Sequence, residues 1–251
     1  MVSSKFWKNI RGKKMMVNER PTFSDPLLSV VMPVFNERDT VERIIDRVLA
    51  VPLRLELIVI DDGSTDGTRE RLATLQLKRK FKLIVNDRNM GKGFAIRSGF
   101  EEINGDVVII QDADLEYSPE EFPQLITLIA QGRTDVVYGS RFLGTRRVFL
   151  FWHYLGNRFL TLVTNILYNT VLSDMETCYK AMRADVVHAL NLKSNGFEIE
   201  PEMTAKILKR GYRVYEIPIT YDGRGYDEGK KISWWAGVEA LWTLLKYRII
   251  E

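Results

Sequence analysis

Val107-Val108-Ile109-Ile110-Gln111-Asp112-Ala113-Asp114 is an apolar run that ends on two carboxylates two residues apart. The run reads as a buried strand. Where extended geometry persists, its alternating side chains send Asp112 and Asp114 the same way, with the small Ala113 between them. Such a pair suits a hard divalent cation, because Mg2+ or Mn2+ takes oxygen ligands and keeps substrate phosphates in its shell. Glu116 extends the alternation to a third acid. Asp-x-Asp alone is equally a strand leaving the core through a solvated acidic turn, so the rest of the chain decides between the two readings.

Upstream, strand-like and helix-like segments alternate. Leu28–Val34, 55–60, 81–85 and 106–110 are apolar runs rich in β-branched residues, and 40–49, 66–75 and 93–103 carry helical spacing between them. Continuous apolar strands alternating with helices predict an α/β fold, a mostly parallel Rossmann-like sheet flanked by helices on both faces. Right-handed crossovers bring the strands' C-terminal ends to one edge. Asn36-Glu37, Asp61-Asp62 and Asp112/Asp114 all emerge there, so one crevice collects the acids. A dinucleotide-binding fold needs Gly-x-Gly-x-x-Gly after its first strand, where this chain reads Met32-Pro33-Val34-Phe35-Asn36-Glu37. Gly91-Lys92-Gly93 comes later and has Ile96 where a third glycine belongs.

At 251 residues and 45% hydrophobic content, the chain can bury one large core with appendages. Cys178 is the sole cysteine, which excludes an intrachain disulfide and fits a reducing compartment, with Cys178 as a packing residue. His153 and His188 lack metal-ligand spacing. No apolar run reaches the roughly 18 residues of a spanning helix, and the N-terminus lacks a signal-peptide apolar region, so the expectation is a cytoplasmic location. The net charge of +3 argues against a nucleic-acid partner, yet residues 1–26 hold six basic side chains against Glu19 and Asp25. That basic tail reads either as a disordered leader or as a foot on an anionic membrane.

Pro33-Val34-Phe35-Asn36-Glu37, Asp61-Asp62-Gly63-Ser64-Thr65-Asp66-Gly67-Thr68, Asn89-Met90-Gly91-Lys92-Gly93 and Asp112-Ala113-Asp114, in this order and spacing, resemble the inverting family 2 glycosyltransferases of GT-A fold. The resemblance covers roughly residues 27–222. Gly139-Ser140-Arg141-Phe142, Thr177-Cys178-Tyr179-Lys180 and Phe197-Glu198-Ile199-Glu200 are similar to its polyprenyl-phosphate branch, the dolichol-phosphate mannose synthase type.

The resemblance implies a nucleotide-sugar donor, GDP-mannose or a UDP-hexose, and a polyprenyl phosphate acceptor, dolichyl or undecaprenyl. Pro33, Asn36, Glu37, Asp61 and Asp62 would line the donor nucleotide pocket, with Asp62 accepting a base N–H. Asp-Gly-Ser-Thr-Asp-Gly is by itself also a turn before an N-capped helix. Lys92, at a glycine-flanked helix start, would meet a phosphate, where amides and helix dipole already favour an anion; the other reading is a solvated turn lysine. Asp112 and Asp114 would hold Mg2+ or Mn2+ on the donor diphosphate, with Glu116 as a third or water-mediated ligand. A divalent ion there offsets several kcal/mol of developing charge, since opposite unit charges 4 Å apart attract by about 4 kcal/mol at an effective dielectric near 20.

The acceptor decides what else is needed. A hydroxyl needs a general base, whereas a phosphate monoester, with a second pKa around 6, is already an anion at pH 7 and needs cations. Between Val136 and Ser173 there is no acid, and Arg141, Arg146, Arg147 and Arg158 are present. Arg141 is the first candidate for the acceptor phosphate and Arg146 the second; Arg147 and Arg158 read equally as solvated or headgroup contacts. The Gln-x-x-Arg-Trp motif of processive synthases is missing. Around those arginines, residues 146–172 are apolar and aromatic but interrupted by Gly156-Asn157-Arg158. They predict two amphipathic interfacial helices, or else a pair packed on the sheet or in a homodimer interface. Residues 223–251 open as a glycine-rich loop in which Arg224, Lys230 or Lys231 would close over phosphates. They end as a helix whose stripe of Trp234, Trp235, Val238, Leu241, Trp242, Leu245 and Ile249 can pack on the domain or lie in a membrane interface.

The resulting expectation is a metal-dependent transferase at the cytoplasmic face of a membrane, free or leaning on a membrane-protein partner. Transfer to a saccharide or protein hydroxyl and a non-catalytic nucleotide-sugar scaffold are the alternatives.

Overall fold

The computed structural model describes residues 20–147, 150–224 and 234–250, without the Trp234 side chain. Most of the basic tail and the loop residues Lys230 and Lys231 lie outside the described residues.

The apolar runs build the inner strands. In chain order the strands are β1 (Leu28–Val34), β2 (Leu55–Asp61), β3 (Lys82–Val85), β4 (Val107–Ile110), β5 (Val136–Ser140), β6 (Lys180–Arg183) and β7 (Val214–Pro218). They form one seven-stranded sheet in the order β3-β2-β1-β4-β6-β5-β7. Helices α1 (Val41–Leu49), α2 (Thr68–Gln76), α3 (Lys92–Phe100) and α4 (Phe122–Ala130) connect the early strands and cover the faces. Val30, Val31, Val59, Ile60, Val108 and Ile109 have no exposed surface, each contributing about 1.5–3 kcal/mol of apolar burial. Burial on both faces explains why these strands read as continuous apolar runs without alternation.

After β3 the chain crosses back over β1, and β4 pairs with β1 on the side away from β2. That reversal is a topological switch point, the place where open α/β sheets leave a crevice beyond their strand ends. The turn after β1 and the Asp112/Asp114 turn after β4 flank it.

One strand departs from the parallel pattern. β6 runs antiparallel to both β4 and β5, with Ala181 opposite Ile109 and Lys180 opposite Tyr138. Its N-terminal end therefore opens on the same edge as the C-terminal ends of its neighbours, delivering Thr177-Cys178-Tyr179-Lys180 into the crevice.

The segment expected as two interfacial helices is one helix, α5 (Phe151–Tyr168). Gly156 costs only about 1 kcal/mol in a helix interior, and a Cβ there would stand in open space. The next two residues are held from outside the helix, Asn157 Nδ2 by Asp174 at 3.5 Å and Arg158 Nη1 by the Ser173 carbonyl at 3.3 Å. Then follow α6 (Ala184–Leu190), α7 (Ile199–Lys209) and α8 (Trp234–Ile249). α5 and α8 enclose a second small core of Leu160, Met175, Ala240 and Leu244. Among the described residues no helix is long and apolar enough to cross a membrane.

Of the apolar stripe read along the C-terminal helix, Leu241 packs against this core while most of the rest faces away from it. Ala240, Leu244 and Tyr247 are buried, while Trp235, Val238, Trp242, Leu245 and Ile249 are exposed. α5 repeats the arrangement, with Trp152, Leu155, Phe159, Leu162 and Ile166 exposed. Each outward stripe recurs at alternating intervals of three and four, which keeps it on one side of its helix.

Candidate active site

The end of β4 is fixed before it turns. Gln111 N donates to Val31 O at 3.0 Å, and Gln111 Oε1 accepts from the buried Tyr179 hydroxyl at 2.6 Å. Leu115 then takes φ +67°, a conformation that costs a bulky residue about 1–3 kcal/mol. This reversal brings Glu116 N to 3.1 Å from Asp114 Oδ1. Burial first, and then Asp112 and Glu116, push the Asp114 carboxyl up to about 7. Three acids so close, one of them buried, form a site short of positive charge.

Lys92 supplies part of that charge. Its Nζ lies 2.8 Å and 3.0 Å from the two Asp112 oxygens and 3.7 Å from Glu200 Oε1. Burial pulls the ammonium's pKa down, but Asp112 and Glu200 outweigh it and hold the group well above its ordinary value. The flanking glycines explain the placement. A Cβ on Gly91 would stand 2.4 Å from Asn195 O, and one on Gly93 would stand 2.5 Å from Ser194 O. Only glycine lets the start of α3 come this close to the loop that leads into α7 and Glu200. Glu200 Oε2 in turn meets Lys180 Nζ at 2.5 Å. The Cys178 thiol belongs to the same cluster, its pKa raised by burial and by Asp112, so the cysteine lies against the site.

At the other strand ends the acids have several jobs. Asp61 has no exposed surface and is held by Arg69 Nε at 2.8 Å and Ser64 N at 3.2 Å, which makes it part of the frame. Asp62 accepts from Asn86 Nδ2, Met90 N and Gly91 N at 2.8–3.0 Å. A carboxylate has about four lone-pair directions, so one remains for a ligand N–H. Asn36, at φ +54°, accepts from Thr65 N and ties the β1 turn to the β2 turn. Pro33 is in register with Ile60 near the end of β1. Glu37 receives the Arg224 guanidinium through both oxygens, at 3.1 Å and 2.9 Å. Arg224 N also donates to Glu116 Oε1, and Tyr221 Oη donates to Glu116 Oε2, both at 2.6 Å. Glu116 thus anchors the beginning of the glycine-rich loop, leaving Asp112 and Asp114 as the pair that faces the crevice.

Beyond Tyr221, which binds Glu116, is a group of arginines. The Arg141, Arg146 and Arg158 guanidinium carbons lie 6.0, 5.6 and 5.7 Å from the centroid of the Phe142 ring. Arg141 grips buried Asp174 through Nε and Nη2, each at 2.7 Å, and lies 5.2 Å from the Tyr221 ring. Arg146 Nη1 donates to Phe142 O at 2.9 Å. Arg147 lies nearer the loop, its Nη1 3.4 Å from Gly223 O.

Several residues of this site carried no role in the sequence reading, namely Glu200, Lys180, Asp174, Tyr221 and Glu176. Glu176 has a buried Oε1 with no hydrogen-bond partner, and burial pushes its carboxyl up to about 7 despite nearby Lys180. The signal for Glu200 was visible as one of two acids, with Glu202, in the first turn of α7 beside Ile199, Met203 and Ala205.

The site's elements match known proteins. The model described as Glycosyl transferase family 2 matches residues 29–190. The dolichol-phosphate mannosyltransferase of Pyrococcus furiosus is 32% identical over 210 residues, covering 81% of this chain and 58% of that protein. An undecaprenyl-phosphate 4-deoxy-4-formamido-L-arabinose transferase of Photorhabdus laumondii is 41% identical over 126 residues, covering 48% of this chain and 37% of that one. The chain spans about half the length of the curated relatives it matches. Among solved structures, glucosyl-3-phosphoglycerate synthase of Mycobacterium tuberculosis superposes with a TM-score of 0.70 at 21% identity, over 90% of this chain and 82% of that one. The same enzyme in complex with Mg2+ and uridine diphosphate gives 0.69 at 22%, over 90% and 80%.

Proposed function

The chain belongs to glycosyl transferase family 2, and from that premise we propose that it moves a hexose, with inversion, from a nucleotide sugar to a polyprenyl phosphate. One observation carries the reading. Asp112 and Asp114 stand at the switch point, and Tyr221 links their neighbour Glu116, bound at 2.6 Å, to Arg141, 5.2 Å from its ring, in the arginine group on Phe142. The first arrangement suits a departing diphosphate and the second an incoming phosphate. The relatives named for dolichol phosphate and undecaprenyl phosphate support the acceptor class.

The residues fit a divalent ion. Burial and its acidic neighbours Asp112 and Glu116 push the Asp114 carboxyl up, so its charged form lacks a cation that a hard metal ion would supply. Among the described residues no three His, Cys, Asp or Glu side chains close into a complete ion cage. Two carboxylates are sufficient when phosphate oxygens complete the shell. Asp112 and Asp114 would hold Mg2+ or Mn2+, which when bound neutralises charge on the leaving nucleoside diphosphate. The fold neighbour crystallised with Mg2+ and uridine diphosphate accords with this.

The chain's own groups do the rest. Pro33, Asn36 and Glu37 line the base side, and Asp62 offers its remaining lone pair to a base N–H. Arg224, now on Glu37, would with Lys230 and Lys231, which lie outside the described residues, supply charge to the donor and acceptor phosphates. Arg141, rigid on Asp174, presents the rest of its fork to the acceptor phosphate, and Arg146 and Arg158 add charge from the same ring. No general base is needed, because the nucleophile is already an anion.

In this reading residues 27–222 are the transferase domain, 146–172 its interfacial segment, and 223–251 the closing loop and helix. The outward stripes of α5 and α8 lie on the cytoplasmic face of the membrane that holds the acceptor, with Trp152, Trp235 and Trp242 at headgroup level. The test screens UDP- and GDP-hexoses with Mn2+, offering either a short polyprenyl phosphate or a free oligosaccharide. Sugar is expected on the lipid phosphate. Transfer to the oligosaccharide alone would establish a hydroxyl acceptor, and nucleotide binding without turnover would establish a scaffold.

A further inference from the structure

We propose that Lys92 is a resident cation of the metal site, closing Asp112 in the empty protein and moving to Glu200 when a divalent ion enters. The proposal rests on the metal reading above.

The geometry gives the ammonium two berths. It now bridges both oxygens of Asp112, at 2.8 Å and 3.0 Å, so each oxygen that a metal would take already accepts from a cation. Glu200 Oε1 is buried, has no hydrogen-bond partner, and lies 3.7 Å away. A shift of about 1 Å would bring Lys92 within hydrogen-bond distance of it. Glu200 can receive the ammonium without moving, since its other oxygen is fixed by Lys180 at 2.5 Å. The chain Asp112, Lys92, Glu200, Lys180 alternates in sign and is balanced as it stands. A divalent ion on Asp112 and Asp114 upsets that balance, and like charges a few ångströms apart repel strongly in so enclosed a place.

The backbone prevents Lys92 from leaving altogether. Gly91 and Gly93 press the start of α3 onto the loop at 194–196, and Phe94 N donates to Asn195 O at 3.0 Å. The ammonium is also 6.0 Å from the Phe197 ring, and the Cys178 thiol lies on the Asp112 side. With its backbone fixed, the ammonium has both carboxylates within its reach. The functional consequence is order of binding. A bare metal ion must displace an internal cation, whereas a metal arriving with a diphosphate brings negative charge that offsets the repulsion. The free enzyme is protected from holding metal without its donor.

The experiment measures Mn2+ binding to the full chain by the loss of the free-ion electron paramagnetic resonance signal, with and without UDP or GDP. Wild type is expected to bind Mn2+ weakly alone and much more tightly with nucleotide. Lys92→Gln and Lys92→Met are expected to bind Mn2+ alone at least about tenfold more tightly than wild type. Glu200→Gln, which removes the charge at the second berth, is expected to weaken Mn2+ binding both with and without nucleotide. Circular dichroism confirms that each variant is folded, and Lys92→Arg, which keeps the charge, should stay weak without nucleotide. Nucleotide-free binding by Lys92→Gln equal to or weaker than wild type would overturn the resident-cation role, and an unaffected Glu200→Gln would overturn the shift. Wild type that takes no Mn2+ even with nucleotide would overturn the metal reading itself, a result distinct from both.

Discussion

Around Asp112 charges alternate in sign inside the protein, whereas on α5 and α8 apolar side chains are turned outward. Asp112, Lys92, Glu200 and Lys180 alternate within a few ångströms, and Asp61, Asp62 and Glu116 are held by neighbouring loops. By contrast, Trp152, Phe159 and Ile166 are exposed on one helix and Trp235, Trp242 and Ile249 on the other. Under the proposed function, the contrast reflects different demands of the two substrates. A soluble, highly charged donor needs a preset electrostatic frame that costs no reorganisation on binding. An acceptor embedded in a lipid phase needs a surface that shares that phase.

The sharpest way to break the comparison is to remove a carboxylate from the donor frame. Asp114→Ala should lower transfer by at least about 10^3-fold while circular dichroism and thermal unfolding change little, because burial disfavours the charged carboxyl and it is not part of an ion pair. An active variant would mean that Asp114 carries no metal.

Arg141 joins the two sides. Arg141→Ala should abolish transfer to lipid phosphate, keep nucleotide binding, and destabilise the fold by about 3–5 kcal/mol, since Asp174 is left buried without its partner. The double change Arg141→Ala with Asp174→Ala should recover much of the stability and none of the turnover. Calorimetry and isotope transfer together read both effects, and preserved turnover would remove Arg141 from the acceptor site.

Glu176 sharpens the comparison through pH. Its folded-state pKa is raised to about 7, first by burial, so the folded protein holds a proton that the unfolded chain releases near the ordinary carboxylate value. The folded state therefore binds more protons between roughly pH 4.5 and 7, and stability falls as pH rises through that window, by about 3 kcal/mol. Glu176→Gln should flatten this part of the profile in urea titrations across pH. An unchanged slope would place the proton elsewhere.

The smallest effect lies on the outward stripes. Trp152→Glu combined with Trp242→Glu should weaken binding to anionic phospholipid vesicles by about tenfold or more without altering unfolding, because both side chains are exposed in the protein alone. Sedimentation with vesicles checks it, and equal binding would assign the stripes to another partner.

Much of this frame was legible in the chain, and for physical reasons. Fully buried parallel strands must be continuously apolar, so β1, β2 and β4 stand out, and the chain's return past β1 places Asp112 and Asp114 at the switch point. β6 was not legible, because four residues beginning with a buried lysine carry neither period, and its antiparallel course depends on β4 and β5 being adjacent to it. The break read at Gly156-Asn157-Arg158 failed because a single glycine is a modest penalty that contacts from Asp174 and Ser173 override. On α8 the apolar period was correct, but periodicity cannot say which of two apolar faces is covered, and packing selected Ala240 and Leu244. In the site, the acids at strand ends were visible individually. Their partners were not, since Lys92 meets Glu200 across 108 positions of sequence only after two glycines let their loops touch.

The most direct test of the whole account is a crystal of the full chain grown with Mn2+ and a nucleoside diphosphate. The account predicts an anomalous manganese peak within coordination distance of Asp112 and Asp114, with the diphosphate on the same ion and Lys92 drawn away from Asp112. Manganese and nucleotide bound away from the β4 edge, or a diphosphate in the crevice with Lys92 still closing Asp112 and no ion beside it, would contradict it.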